Sequence, residues 1–129
     1  MKITVSWEDQ EQRTLIYRFP SMWTWQEFYN AKAEAERLLD TVDHNVTVFL
    51  DFSQGATLPA GAVSEAPKIM KKRHPRATPV IFIGVNPRIS IVINMVRTVL
   101  SSRMKDIHMV KTLDDAWELV HQLREADTE

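Results

Sequence analysis

The residues best suited to chemistry are Asp51 and Ser53, which close an apolar run as Asp51-Phe52-Ser53 and set a carboxylate two positions from a hydroxyl. Such a pair does acid-base or nucleophilic work only beside an oriented base, and no His or acidic partner stands at a suitable spacing. An enzyme built on Asp51 and Ser53 is therefore the weakest of three readings, and no catalytic residue is expected. Asp51, ending a middle strand, and Lys111, ending the last one, would also suit a phosphoacceptor aspartate and its lysine. That chemistry needs Mg²⁺ on hard carboxylate oxygens, yet where an acidic pair should follow the first strand of a strand-helix unit the chain reads Arg18-Phe19-Pro20. His44, His74, His108 and His121 lie in separate segments with no paired spacing such as HExxH, so no metal site is expected. The lack of Cys excludes thiol catalysis, and the three glycines, Gly55, Gly61 and Gly84, form no phosphate-cradling loop. No cofactor is expected.

Other side chains suit binding. Trp23 and Trp25 flank Thr24 at the start of a helix that carries Phe28, and a later helix carries Ile91 and Met95 beside its main apolar stripe. Trp23, Trp25, Phe28, Ile91 and Met95 together form a candidate wall for a small apolar ligand, although core packing is the plainer use of the tryptophans. Ile91 and Met95 exceed what a one-sided helix needs, which predicts packing against the last helix and Trp117, a homodimer contact, or a cavity lining. Lys68, Lys71, Lys72, Arg73, His74 and Arg76 gather around a helix end, where cations complement the negative terminus by about 0.3–1 kcal/mol each. A solvated helix end accounts for them. With no RNA-binding aromatic motif and a net charge of -1, from 16 Lys and Arg against 17 Asp and Glu, no nucleic-acid partner is expected.

The elements that must position these residues follow from periodicity. Ile3, Val5 and Trp7 alternate with Thr4, Ser6 and Glu8, and Leu15, Tyr17 and Phe19 alternate with Thr14, Ile16 and Arg18, which predicts a hairpin. Thr24 and Glu27 form a capping box for a helix whose face is Phe28, Ala31, Ala35, Leu38, Leu39 and Val42, ending near Asp43-His44-Asn45. Val46–Leu50 and Pro79–Gly84 are apolar runs of the kind buried on both faces of a sheet. Between them a helix starting near Pro59 runs through Ala62, Val63, Ala66, Ile69 and Met70; Pro67 inside it predicts a kink, a late start or an irregular first half. Asn86-Pro87 caps a third helix with the stripe Ile89, Val92, Ile93, Val96, Val99 and Leu100. Ile107–Val110 is a last short strand, and Thr112 with Asp115 opens a final helix carrying Ala116, Trp117, Val120 and Leu123.

The order is ββαβαβαβα. It predicts one α/β domain over residues 1–129, core about 2–124, with a mixed, mostly parallel sheet and an antiparallel opening strand. With 129 residues and 44% hydrophobic content, the chain is long enough to build a core without disulfides or metal. No window reaches 18 uncharged apolar residues, so no membrane span is expected. MKITVSWEDQ lacks the apolar core of a secretory signal, and a cytoplasmic location is expected.

Gly84-Val85-Asn86-Pro87 between strand and helix, Thr112-Leu113-Asp114-Asp115-Ala116 opening the last helix, and Asp51-Phe52-Ser53 ending a buried strand occur in an order that resembles the STAS, or anti-sigma-factor antagonist, family. The resemblance covers residues 1–124 or so. It implies a regulatory domain that binds a protein partner and is not an enzyme. Regulatory members carry an Asp-Ser-type phosphoacceptor just before the second helix, followed by Gly; the matching stretch here is Leu58-Pro59-Ala60-Gly61, where Pro and Ala offer no hydroxyl. The resemblance thus implies a divergent member without the usual phosphorylation switch.

In open α/β sheets, ligands and partners meet the loops beyond the carboxyl ends of the strands. Those loops carry Asp51, Ser53, Gln54, Asn86, Lys111 and Thr112, of which Asn86 and Thr112 already have capping roles. The leading expectation is a non-enzymatic STAS-like module that binds a regulatory protein of unknown identity through Asp51, Ser53, Pro59, Ala60, Gly61, Ser64 and Asn86. The alternative is a small apolar ligand or lipid-binding carrier using the aromatic wall.

Overall fold

The computed structural model describes residues 2–128, and the side chains of all of these except 103, 127 and 128. The elements are β1 (Thr4–Trp7), β2 (Thr14–Arg18), α1 (Trp25–Leu39), β3 (Val46–Asp51), α2 (Ala62–Lys71), β4 (Ala77–Ile83), α3 (Pro87–Val99), a short 3₁₀ turn (Ser101–Arg103), β5 (Ile107–Val110) and α4 (Leu113–Thr128). They form one α/β domain around a five-stranded sheet of order β1-β2-β3-β4-β5, in which β1 pairs antiparallel with β2 and every other pair is parallel.

The chain crosses this sheet one strand at a time in one direction. Right-handed crossovers then put every connecting helix on the same face. Accordingly, α1, α2 and α3 share one core, with Leu15, Tyr17, Val48 and Val80 beneath them. Only a helix with no strand after it is free to cover the opposite face. There α4 packs Ala116 and Val120 on Ile16, Phe49, Ile81 and Ile83. The register lines these residues up in rows, Leu15↔Val48↔Val80↔Ile107 facing the three helices and Ile16↔Phe49↔Ile81 facing α4. Having both faces covered explains why β3 and β4 read as apolar runs.

The local signals act as their chemistry predicts. The Thr24 and Glu27 side chains form the reciprocal capping box of α1, and Asn86 Oδ1 accepts the Ile89 N–H at 3.0 Å with Pro87 in the first turn of α3. Thr112 Oγ1 accepts the Asp115 N–H at 3.1 Å. The first helix stops at Leu39, short of Asp43, and just beyond it the Thr41 hydroxyl donates back to the Leu38 carbonyl at 2.6 Å. The second helix takes the late start: residues 56–61 stay irregular, Gly61 adopts a left-handed φ of 90°, and Pro67 lies within α2. β4 begins at Ala77, ahead of Pro79, and a shift of register between β3 and β4 absorbs the proline, which has no N–H for the ladder.

The third helix departs from expectation. Trp117 lies across the sheet, its ring edge-on to Phe49 at 5.1 Å, so α3 cannot pack against it. Ile89, Ile93 and Val96 are buried, whereas Val99 and Ile91 are each 67% exposed. The apolar stripe is therefore narrower than its sequence suggests, and Ile91 lies outside it.

Candidate ligand cavity at the carboxyl ends of the strands

Beyond the carboxyl ends of β2 and β3 the chain lays down an aromatic cluster. Phe19 stacks on Phe52 at 4.2 Å and meets Trp23 edge-on at 5.0 Å; Trp23 in turn meets Trp25 edge-on at 5.0 Å. Phe52 stacks on Phe82 at 6.1 Å. Flat rings of this size leave gaps that aliphatic side chains fill incompletely. The gap is a partly open cavity of about 100 Å³ lined by Phe19, Trp23, Trp25 and Phe28, by Leu50 and Phe82 of the sheet, by Phe52 and Leu58, by Ala66, Ile69 and Met70 of α2, by Ile89, Val92, Ile93 and Val96 of α3, and by Met104. Among the described residues no charged side chain borders it.

Each wall has a local cause. The capping box fixes the first turn of α1 and hence the Trp pair; the Trp25 indole donates to the Ala60 carbonyl at 2.8 Å and ties the loop before α2 to α1. Trp23 is 8% exposed, and its Nε1 has no hydrogen-bond partner among the described residues. Of the five residues expected to form an apolar wall, Trp23, Trp25 and Phe28 border the cavity, while Ile91 points to solvent and Met95 packs on the core outside the lining. Leu50 and Phe82, cross-strand partners, and Val92 and Ile93 take the places given to Ile91 and Met95. Strand alternation puts Leu50 and Phe82 on the helix-covered face, but that they meet is a fact of register.

The polar residues at this end of the sheet do structural work. Asp51 Oδ1 accepts the Ser53 N–H at 2.9 Å, closing the turn after β3, and the Phe52 N–H donates to Ile83 O at 2.9 Å. Gly84, at φ 67°, lies so close to this turn that a Cβ there would sit 2.9 Å from Ser53 Cα. Asn86 spends its carbonyl oxygen on the α3 cap and reaches Ala56 O with its amide nitrogen at 3.4 Å. Ser53, Ala60, Gly61 and Ser64 are exposed; Pro59 and Asp51 are half-buried. The loops around Ser53 and Gly61 thus stand on the same end of the domain as the cavity.

The basic cluster is divided. Arg73 pairs with Asp106 at 3.1 Å and His74 with Asp40 at 2.8 Å, while Lys68, Lys71 and Lys72 are exposed. Tyr29 on α1 hydrogen-bonds Glu65 on α2, which raises the phenol pKa. Burial, with the nearby Glu36 charge, pushes the Tyr17 phenol far up, so it stays neutral. Among the described residues no helix is long and apolar enough to cross a membrane. Neither protein-family models, nor curated proteins, nor solved structures give a significant match to this chain.

Proposed function

We propose that this chain is a STAS-like binding module without catalytic activity that holds a small apolar molecule between its sheet and the three helices on one face. The observation that carries this reading is the partly open cavity of about 100 Å³, on whose wall no charged side chain stands among the described residues. Protein interiors pack tightly, and voids larger than a water are few per domain. An apolar void of this kind gives water too few partners to stay, and one of roughly 150 Å³ takes up a benzene ring. The ordinary fates of the polar groups nearby, with Asp51 closing a turn and Asn86 capping a helix, support binding over catalysis.

Bromobenzene tests the reading, because its heavy atom quenches tryptophan on contact. Trp23 and Trp25 border the cavity, so quenching that saturates with concentration is expected. Quenching that rises linearly without limit, as from random collision, would contradict it.

The protein-partner reading has its own support in the exposed residues Ala60, Gly61, Val63 and Ser64, of which Val63 is 62% exposed. Ser64→Glu places an acid in the first turn of α2, where it favours the helix. A regulatory partner docking there would be lost by this variant with the thermal midpoint unchanged; retention of the partner would move the interface elsewhere.

A further inference from the structure

Away from the apolar cavity, at the amino ends of the strands and on the face that α4 covers, the domain holds a second, partly open cavity of about 190 Å³. Its place follows from the strands. Thr14 and Thr47 are cross-strand partners two residues ahead of Ile16 and Phe49, so by strand alternation they face α4 as those do. The row under α4 thus changes from apolar to hydroxyl-bearing at this end, and the helix changes with it. Arg124 stands one turn beyond Val120 on the same side and donates through Nη2 to Thr14 Oγ1 at 3.2 Å. That bond accounts for Thr14 but not for Thr47, which is 6% exposed and borders the cavity with a hydroxyl that makes no hydrogen bond among the described residues. This oxygen is not sealed in the interior. A valine would fill the same volume with no polar group to desolvate.

Around Thr47 the cavity is bordered by Arg124, half-buried, and by Arg13 and Asn45, both exposed. Arg13 lies 3.8 Å from Glu11 in a loose, exposed pair, and Arg124 has no carboxylate partner among the described residues. Thr78 borders the cavity too but gives its hydroxyl to Asp106, whose charge Arg73 pairs. Among the described residues no acidic side chain lines this space, while Pro79, Val120 and Leu123 supply an apolar part of its wall. We propose that it binds a small organic phosphate, a monoester whose phosphoryl oxygens accept from Arg124 and Thr47 beside the charge of Arg13. The forked guanidinium donors match phosphoryl oxygens in geometry. A monoester carries between one and two negative charges near neutral pH, which two arginines balance and a single carboxylate would not. The volume leaves room for a carbon body beside the phosphoryl group, against Pro79 and Leu123.

The test titrates phenyl phosphate, inorganic phosphate and phenol separately into the ¹⁵N-labelled full chain at low salt, where exposed charges are least screened. Phenyl phosphate is expected to shift the backbone amide signals of Asn45 and Thr47 and the Nε–H signal of Arg124 along saturating curves. Inorganic phosphate should bind more weakly, and phenol should leave these signals in place. Arg124→Gln is expected to weaken phenyl phosphate by at least about tenfold, the loss of one charged hydrogen bond. Thr47→Val is expected to weaken it by about three- to tenfold while the thermal midpoint holds or rises, whereas removal of a hydroxyl that served only the fold would lower the midpoint and spare the affinity. Phenyl phosphate that leaves the three signals unmoved, or that binds both variants as tightly as the wild type, would overturn the inference. Equal affinities for phenyl phosphate and inorganic phosphate would overturn the assignment to an ester. The wild-type titration decides the matter even if Arg124→Gln fails to fold, and none of these outcomes bears on the apolar cavity, which lies on the other face of the sheet.

Discussion

At Gly84 two constraints meet in one residue. Its φ of 67° lies in the left-handed region, and a Cβ there would sit 2.9 Å from Ser53 Cα and 3.0 Å from Ser53 Cβ. Gly84→Ala is expected to destabilise the fold by about 2–4 kcal/mol, from about 1–2 for the backbone and the rest from overpacking. A urea midpoint that drops with unchanged m would show it. His108, on β5, is held below its usual pKa of 6.5 by burial and by Arg97, against the opposing pull of Asp106. The unfolded chain therefore takes up a proton near pH 6.5 that the folded chain still refuses. Stability from this group is present above about pH 6.5 and is lost as pH falls below it toward the depressed folded value. His108→Gln should flatten the fall in thermal midpoint between about pH 7 and 5 relative to the wild type, and an equal slope in both proteins would refute this. The caps at Thr24, Asn86 and Thr112 were legible in the sequence because each is a contact across three residues. The need for glycine at 84 was not, because it arises from the approach of Ser53, far away in the chain.

Among the elements, α3 shows best where pattern reading stops. Its cap, its proline and its buried residues Ile89, Ile93 and Val96 follow from local sequence. The extent of its buried face does not, since that depends on which neighbours arrive. Ile91 faces solvent because α4 lies on the other side of the sheet. Two substitutions two residues apart, on opposite sides of the helix, should accordingly behave very differently. Ile93→Ala, at 7% exposure, is expected to cost about 2–4 kcal/mol, whereas Ile91→Lys, at 67% exposure, should change stability by no more than about 0.5 kcal/mol. Equal losses in urea melts would mean that Ile91 is buried against something. The irregular start of α2 was likewise legible, since Pro59 invites a helix that Pro67 disfavours; the helix begins only at Ala62 and still carries Pro67 inside it.

On the scale of the whole molecule, the ββαβαβαβα order and the mostly parallel sheet were readable from periodicity, and the one-way strand order then dictates three helices on one face and α4 alone on the other. The aromatic part of the cavity was readable too, as Trp23, Trp25 and Phe28. The remainder was hidden, because Leu50, Phe82, Val92 and Met104 come together only through strand register and helix docking. The central claim is that this space accepts an apolar guest, and the most direct measurement is the thermal midpoint with and without near-saturating toluene, in the wild type and in Val92→Phe. Val92 borders the cavity, so the larger ring should occupy it. A guest at about 100 times its dissociation constant adds about 2.7 kcal/mol, a rise of about 10 °C for a domain of 129 residues. The account predicts that rise in the wild type and none in a folded Val92→Phe. No rise in the wild type, or the same rise in both, would contradict it.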